Sequence, residues 1–227
     1  MHPRKGYALL PAIYTRVECA QLMAAIEEAT QNERFRRSNE LFAIRRFLHE
    51  VPAAWGILNN AALQDVLASL STGKLRPVKS IYFDKPGGSN WFVSYHHDLT
   101  ISVTSRHDVP GFGPWTKKPG YFAVQPPLSY LQNIFTLRIH LDDTNEENGA
   151  LRVVPSSHNK GLYRPETIDW TLETEDTCCV EAGGIMIMKP LLLHASGRTT
   201  NQASRRVIHI EFTTDTLPAP LTWEESL

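Results

Sequence analysis

From Pro77 onward the chain breaks into short runs of β-branched and aromatic residues cut by Gly, Pro and Asp-Asn clusters, and this texture limits the fold more than any other feature. Candidate strands are 78–84, 91–96, 99–104, 133–141, 150–154, 184–188 and 205–213. Runs this short, irregularly spaced and with no helical pattern between them, exclude an alternating βαβ sheet and predict a sandwich or jelly roll. The segment 105–130, rich in Pro and Gly, predicts a long loop, of the kind that is usually functional.

Ahead of Gly73 the pattern is helical. Thr15-Arg16-Val17-Glu18 is a capping box that opens the apolar series Val17, Leu22, Met23 and Ile26, which predicts an amphipathic helix over 15–29. Residues 31–40 are charged and Asn-rich and read as a loop. Residues 41–48 and 55–70 read as further helices, with Asn60 as a cap in the second.

Charge excludes whole classes of function. Lys+Arg is 23 and Asp+Glu 24, a net charge of -1, so the basic excess of a nucleic-acid or anionic-membrane binder is missing. Cys19, Cys178 and Cys179 form no CxxC pair and are too few for a disulfide framework, which points to thiols in a reducing compartment. Tyr7–Tyr14 is short, contains Pro11 and runs into Arg16 and Glu18, a poor signal-peptide core, and no window approaches the ~18 apolar residues of a spanning helix. The expected location is the cytoplasm. The 9 histidines direct attention to metal or acid–base chemistry.

In Tyr95-His96-His97-Asp98, a strand would turn His96 and Asp98 to one face, ~7 Å apart along the chain, and His97 to the other. Continued parity would place Thr100 and Ser102 inside, with Leu99, Ile101 and Val103 on an outer, helix-covered face. His194 follows the apolar run 184–188 and precedes a Gly turn, a strand-end position. Two His and one Asp with open positions make a facial triad of the kind that holds non-haem Fe(II). Arg205, eleven residues after His194, opens an alternating strand and offers a fork for a carboxylate. Fe(II) with one carboxylate carries +1, a dicarboxylic keto-acid brings −2, and one arginine restores neutrality. Parity also allows an interior lined by Arg138, His140, His209 and Glu211. Arg206 must point away from Arg205 and reads as a surface residue.

The chain resembles the phytanoyl-CoA dioxygenase family of Fe(II)/2-oxoglutarate oxygenases. The resemblance lies in Phe83–Trp91, in Tyr95-His96-His97-Asp98, in Leu137–His158 with its aspartate-rich turn, Asn148-Gly149 and Pro155-Ser156-Ser157-His158, and in His194-Ala195-Ser196 with Arg205 at the family spacing. It implies a mainly β fold, a double-stranded β-helix (jelly roll, cupin-like) with N-terminal helices on the outer face of one sheet. The whole of 1–227 would be one oxygenase domain, with a mostly helical N-terminal region over 1–75, a core over 76–214 and a tail over 215–227. The resemblance assigns His96, Asp98 and His194 to iron and Arg205 to the distal carboxylate of 2-oxoglutarate, with Ser196 assisting. It places Arg138 beside the co-substrate, where relatives often carry an aromatic residue. Ser156 stands where the family has Gly.

The implied cofactors are Fe(II), 2-oxoglutarate and O2. The implied reaction is hydroxylation of an aliphatic C–H of a small molecule, with release of succinate and CO2. A non-catalytic jelly-roll binding protein would share the fold without needing the four spaced polar residues. A zinc hydrolase could use the same triad but has no use for Arg205. Trp91, Tyr95, Trp115, Lys117 and Lys118 are expected to flank the mouth, where the lysines could meet an anion.

Overall fold

A computed structural model describes residues 4–30, 42–89 and 91–226. The predicted loop 31–40 lies outside the described residues.

The largest sheet is antiparallel and six-stranded. In spatial order its strands are β1 (Tyr7–Leu10), β11 (Ile185–Met188), β8 (Phe135–His140), β13 (Arg205–Thr213), β3 (Arg76–Lys85) and β2 (Phe42–Arg45). A four-stranded sheet runs β10 (Asp176–Cys178), β9 (Leu151–Val153), β12 (His194–Ser196) and β4 (Val93–His96). A small third sheet orders β5 (Ile101–Val103), β7 (Tyr121–Val124) and β6 (Trp115–Lys118). Among the described residues there are five α-helices: α1 (Arg16–Thr30), α2 (Phe47–Glu50), α3 (Ala53–Leu58), α4 (Ala61–Leu70) and α5 (Leu128–Asn133).

Period-two alternation divides the large sheet into two chemically distinct faces. Leu137, Ile139, Ile185, Ile187, Ile208 and Ile210 point outward and bury against Leu22, Ile26, Phe47, Leu58 and Leu63 of the helices. This is the expected packing of N-terminal helices on one sheet. The inner face carries Lys79, Lys85, Arg138, His140, Arg205, His209 and Glu211, and toward β11 it becomes apolar, where Met186 and Met188 pack on Leu151 and Val153 of the second sheet. Side chains that water would normally solvate are therefore enclosed between the sheets, and an enclosed polar group is retained only where it finds partners.

Helix α1 opens as expected: Glu18 accepts from the Thr15 amide at 2.7 Å and Thr15 Oγ1 accepts from the Glu18 amide at 3.1 Å. The span 55–70 is two helices, because Asn60 is extended and its Oδ1 caps α4 through the Leu63 amide at 2.9 Å. The expected helix 41–48 is overturned in its first half. Phe42–Arg45 pairs with Ile81–Asp84 as an edge strand, and the helix begins only at Phe47. The expected loop 105–130 contains the β6–β7 hairpin and the first turn of α5.

The C-terminal tail is held against the body. Trp223 is buried beside Ile101 and Val103, and Ser80 Oγ donates to Glu225 at 2.6 Å. Ser156 has φ 69, the conformation that favours Gly. Its amide donates to the Lys5 carbonyl at 3.0 Å and its hydroxyl to the Arg4 carbonyl at 2.7 Å, which offsets that strain.

Candidate active site

Strands β4 and β12 bring the triad together. They pair antiparallel with His194 opposite His96, which stacks the two imidazoles 4.2 Å apart at 50°. Each ring uses Nδ1 on the carbonyl two residues earlier, Ser94 at 2.9 Å for His96 and Leu192 at 2.8 Å for His194. A carbonyl only accepts, so Nδ1 carries the proton and Nε2 presents a lone pair, the form a metal requires. The chain leaves the strand after His96, and the Asp98 amide donates to the Pro190 carbonyl at 2.9 Å, which turns the carboxylate toward both rings.

The ligand atoms of His96, Asp98 and His194 all lie within 4.8 Å of one another. Two ligands ~2.1 Å from one ion at right angles stand ~3 Å apart. His194 Nε2 and Asp98 Oδ2 stand 3.8 Å apart, so both would reach one ion after a small side-chain adjustment. Asp98 Oδ2 is buried and has no hydrogen-bond partner among the described residues. A buried carboxylate oxygen without a partner is costly, and a cation held between two neutral imidazoles satisfies it, so this donor set fits Fe(II).

The departure from strand geometry also corrects the parity expected beyond Asp98. Thr100 is exposed and uses its carbonyl on Lys79 at 3.0 Å, and Ser102 faces the C-terminal tail. Ile101 and Val103 pack with Leu131, Ile134 and Trp223, not under the N-terminal helices. His97 does point away, with Nε2 2.7 Å from the Tyr163 carbonyl.

One cavity of about 220 Å³ contains His96, Asp98, His194, Ser196, Arg138 and Arg205 in its wall, together with His209 and Lys79. Arg205 is 4% exposed. Its Nη2 donates to Ser196 Oγ at 3.3 Å, while Nε and Nη1 have no partner among the described residues. Ser196 Oγ donates to the Gly149 carbonyl at 2.9 Å, which fixes the hydroxyl beside the guanidinium. Gly149 is in the left-handed region at φ +83, and a Cβ there would stand 2.8 Å from both the Gly197 carbonyl oxygen and Lys85 Nζ. Asn148-Gly149 thus acts at this site through the space that a missing side chain leaves.

Arg138, in mid-β8, directs Nη1 at His209 Nδ1 at 3.2 Å. Guanidinium only donates, so His209 Nδ1 accepts, its proton sits on Nε2, and that proton is donated to Glu211 Oε1 at 3.3 Å. Glu211 also pairs with Lys79 Nζ at 2.7 Å. Asp98, His209 and Glu211 form a second constellation of potential metal-ligand atoms. It suits a cation poorly, because Glu211 is already neutralised by Lys79 and both His209 nitrogens are engaged. His140 and Glu211 face inward but lie behind the cavity wall; His140 Nδ1 meets Thr144 Oγ1 at 2.7 Å.

Trp91 lines the cavity. Trp115, Lys117 and Lys118 do not: they belong to the β6–β7 hairpin, and Trp115 packs on the cluster around Val124. Tyr95 is also outside the wall and packs on Trp170. Lys79 and Lys85 are the inward residues that sequence reasoning misses. Their only signal is shared parity with Ile81 and Phe83 on β3, which pairs Lys85 with Arg205 and Lys79 with Glu211.

Burial opposes the charge on Asp98, but His194, His209, Lys79 and His96 outweigh it and hold the carboxyl well below the usual range. Burial pushes Arg205 down to about 9, with Arg138 adding to the effect, and Arg138 down to about 10. Both remain cations at neutral pH. Burial also pushes His194 down to about 4.

On unfolding below pH ~6.5 His194 therefore takes up a proton, so the metal-free protein loses stability as pH falls through the window from ~6.5 to ~4. Between pH 7.5 and 4.5 this group should cost the wild type ~2–3 kcal/mol that His194→Gln does not lose. Urea unfolding of the two metal-free proteins at both pH values measures it, and equal losses would refute the assignment.

The fold places the chain among known structures. It superposes on the non-heme alpha-ketoglutarate-dependent carbocyclase SnoK of nogalamycin biosynthesis with TM-score 0.70 and 16% identity, covering 98% of this chain and 83% of that one. EctD from S. alaskensis, solved with 2-oxoglutarate and 5-hydroxyectoine, gives TM-score 0.68 and 18% identity over 92% of this chain and 72% of that one. HygX from Streptomyces hygroscopicus, solved with nickel, 2-oxoglutarate and hygromycin B, gives 0.64 and 13% over 93% and 84%. These likenesses show a shared jelly-roll fold.

In sequence, Phytanoyl-CoA dioxygenase domain-containing protein 1 of Danio rerio is 25% identical over 164 residues, which cover 64% of this chain. The alignment spans about half (48%) of that relative. Residues 3–207, most of the chain, match the family described as Phytanoyl-CoA dioxygenase (PhyH), and the chain belongs to that family.

Proposed function

We propose that the chain is a single oxygenase domain, an Fe(II)/2-oxoglutarate-dependent dioxygenase that hydroxylates an aliphatic C–H of a small molecule. The observation that carries this reading is the pairing of unsatisfied groups in one cavity. Among the described residues a buried Asp98 carboxylate oxygen beside two imidazoles has no hydrogen-bond partner, and in the same cavity a buried Arg205 has two nitrogens unpaired. The first requires a cation and the second an anion, and a zinc hydrolase would leave the second unexplained.

His96 Nε2, His194 Nε2 and Asp98 would hold iron. Arg205 and Ser196 Oγ would hold the distal carboxylate of 2-oxoglutarate, with Arg138 flanking its chain. Iron, 2-oxoglutarate and O2 together supply the oxidising power to insert oxygen into a C–H bond, with succinate and CO2 as by-products. The chain's own residues bind, orient and exclude water. Ile81, Phe83, Trp91, Val93 and Leu151 provide the apolar portion of the wall. The Arg138–His209–Glu211–Lys79 series fixes the polar portion without offering a free base. Three free thiols, Cys19, Cys178 and Cys179, accord with action in the cytoplasm.

The test is anaerobic loading with Fe(II) and 2-oxoglutarate, followed by exposure to O2 and measurement of succinate. Iron-dependent conversion of 2-oxoglutarate to succinate is expected. Its absence, with zinc supporting hydrolysis instead, would overturn the reading.

A further inference from the structure

The enclosed charges do not balance with one arginine, because the interior holds more cations than the triad and its co-substrate require. Lys79, Lys85, Arg138 and Arg205 face inward, against Asp98 and Glu211. Lys79 and Glu211 cancel at 2.7 Å. Fe(II) and 2-oxoglutarate, if bound as proposed above, cancel each other. Asp98 then offsets one of the remaining three cations, and two positive charges are left. Lys85 is fully buried, donates to the Gly197 carbonyl and is pushed down to about 8 by burial and by Arg205, so it can shed its charge at small cost. One uncompensated cation still remains.

Arg138 is that cation. It is 6% exposed, and among the described residues its Nε has no partner and no carboxylate lies in ion-pair range of it. Its Nη1 is spent on a neutral imidazole and its guanidinium carbon sits 5.8 Å from the Phe83 ring centroid. Asp98 favours the charge from beyond ion-pair range but would be shared with iron in the loaded site; an enclosed cation with no ion-pair partner is expensive, so the third ligand of this cavity should bring one. A guanidinium whose Nε side is unpaired matches a carboxylate bidentately. A phosphate dianion would need further donors, and Lys79 and Lys85 are already committed. The apolar wall fits the remainder of such a molecule.

We infer that the substrate of this cavity is a carboxylic acid with an apolar body, its carboxylate neutralised by Arg138. The inference rests on the proposed iron and 2-oxoglutarate site, and the two are separable by experiment. Anaerobic protein is loaded with Fe(II) and 2-oxoglutarate, with loading read from the visible metal-to-ligand charge-transfer band. It is then titrated calorimetrically with matched pairs, butyrate and butyramide, hexanoate and hexanamide, phenylacetate and phenylacetamide, and with inorganic phosphate.

At least one acid should bind about tenfold or more tighter than its amide. Arg138→Met, titrated at Fe(II) and 2-oxoglutarate concentrations that saturate the band in that variant, should reduce that preference to within about 2-fold, and Arg138→Lys should retain most of it. Equal binding of acids and amides, no binding by any acid, tighter binding of phosphate, or an undiminished preference in Arg138→Met would overturn the inference. So would loss of the band in both Arg138 variants, since the charge would then be spent on the co-substrate. Absence of the band in the wild type would remove the iron and 2-oxoglutarate reading itself.

Discussion

Replacing His96, Asp98 or His194 by alanine should each weaken Fe(II) binding by ~100-fold or more while the chain remains folded; losing a hydrogen-bond partner that merely orients a metal ligand costs 10–100-fold, and these would be the ligands themselves. The expectation rests on the facing imidazoles of β4 and β12, each held by a backbone carbonyl, and on the buried Asp98 oxygen that has no hydrogen-bond partner among the described residues. His209→Ala is the contrasting variant. Both nitrogens of His209 are engaged by Arg138 and Glu211, so iron affinity should stay within ~3-fold, the scale of an indirect change. Equilibrium dialysis of Fe(II) under anaerobic conditions measures both, with circular dichroism to check the fold. Full affinity in any one of the three alanine variants would remove that residue from the site, and loss in His209→Ala would move the metal toward the constellation Asp98, His209 and Glu211.

The site is more legible in the sequence than the elements around it. His96, Asp98, His194, Ser196, Arg138 and Arg205 meet in one cavity, and their separate strand patterns are each visible locally; the alternation over 205–213 matches the observed limits of β13, Arg205–Thr213. Short edge elements are not legible. Phe42–Arg45 is four residues of mixed polarity, too short to show a period, and becomes a strand only because β3 offers an unpaired edge. Tyr7–Leu10 reads in sequence only as a poor leader segment, yet it pairs with β11 as the opposite edge. The hairpin Trp115–Lys118 with Tyr121–Val124 turns at Pro119-Gly120, a signal hidden among the other Pro and Gly of its neighbourhood. Lys85 gives no sign of its position, because lysines are almost never fully buried. Its burial follows from pairing opposite Arg205, which a single strand cannot reveal. A charge count from sequence alone therefore falls short of cations.

The adjacent arginines of β13 should separate cleanly. Arg205 points into the cavity with two unpaired nitrogens, and Arg206 points out, where Nε and Nη2 grip Asp142 at 2.8 and 2.6 Å. Losing a charge-assisted contact to an enclosed carboxylate costs ~2–5 kcal/mol, so Arg205→Ala should weaken 2-oxoglutarate binding by roughly 30-fold or more. Lys85 stands opposite Arg205 on β3, and once the arginine that helps to push it down is removed it holds its proton more firmly, which places the expected loss toward the lower end of that range. Iron binding should be unchanged, because a guanidinium is no ligand.

Arg206→Ala should leave 2-oxoglutarate affinity within ~2-fold, but it is not the neutral surface change that sequence parity alone implies. Its bidentate pair with a mostly buried Asp142 ties the end of β13 to the turn after β8, and Asp142 would retain only the Arg206 amide. A half-buried, forked ion pair of this kind should cost ~1–2 kcal/mol of stability on truncation. Titration of anaerobic, iron-loaded protein with 2-oxoglutarate, alongside urea unfolding of both variants, distinguishes the two roles. Should Arg206→Ala lose the co-substrate and Arg205→Ala keep it, the inward assignments of His209 and Glu211, which share the parity of Arg205, would be wrong with it.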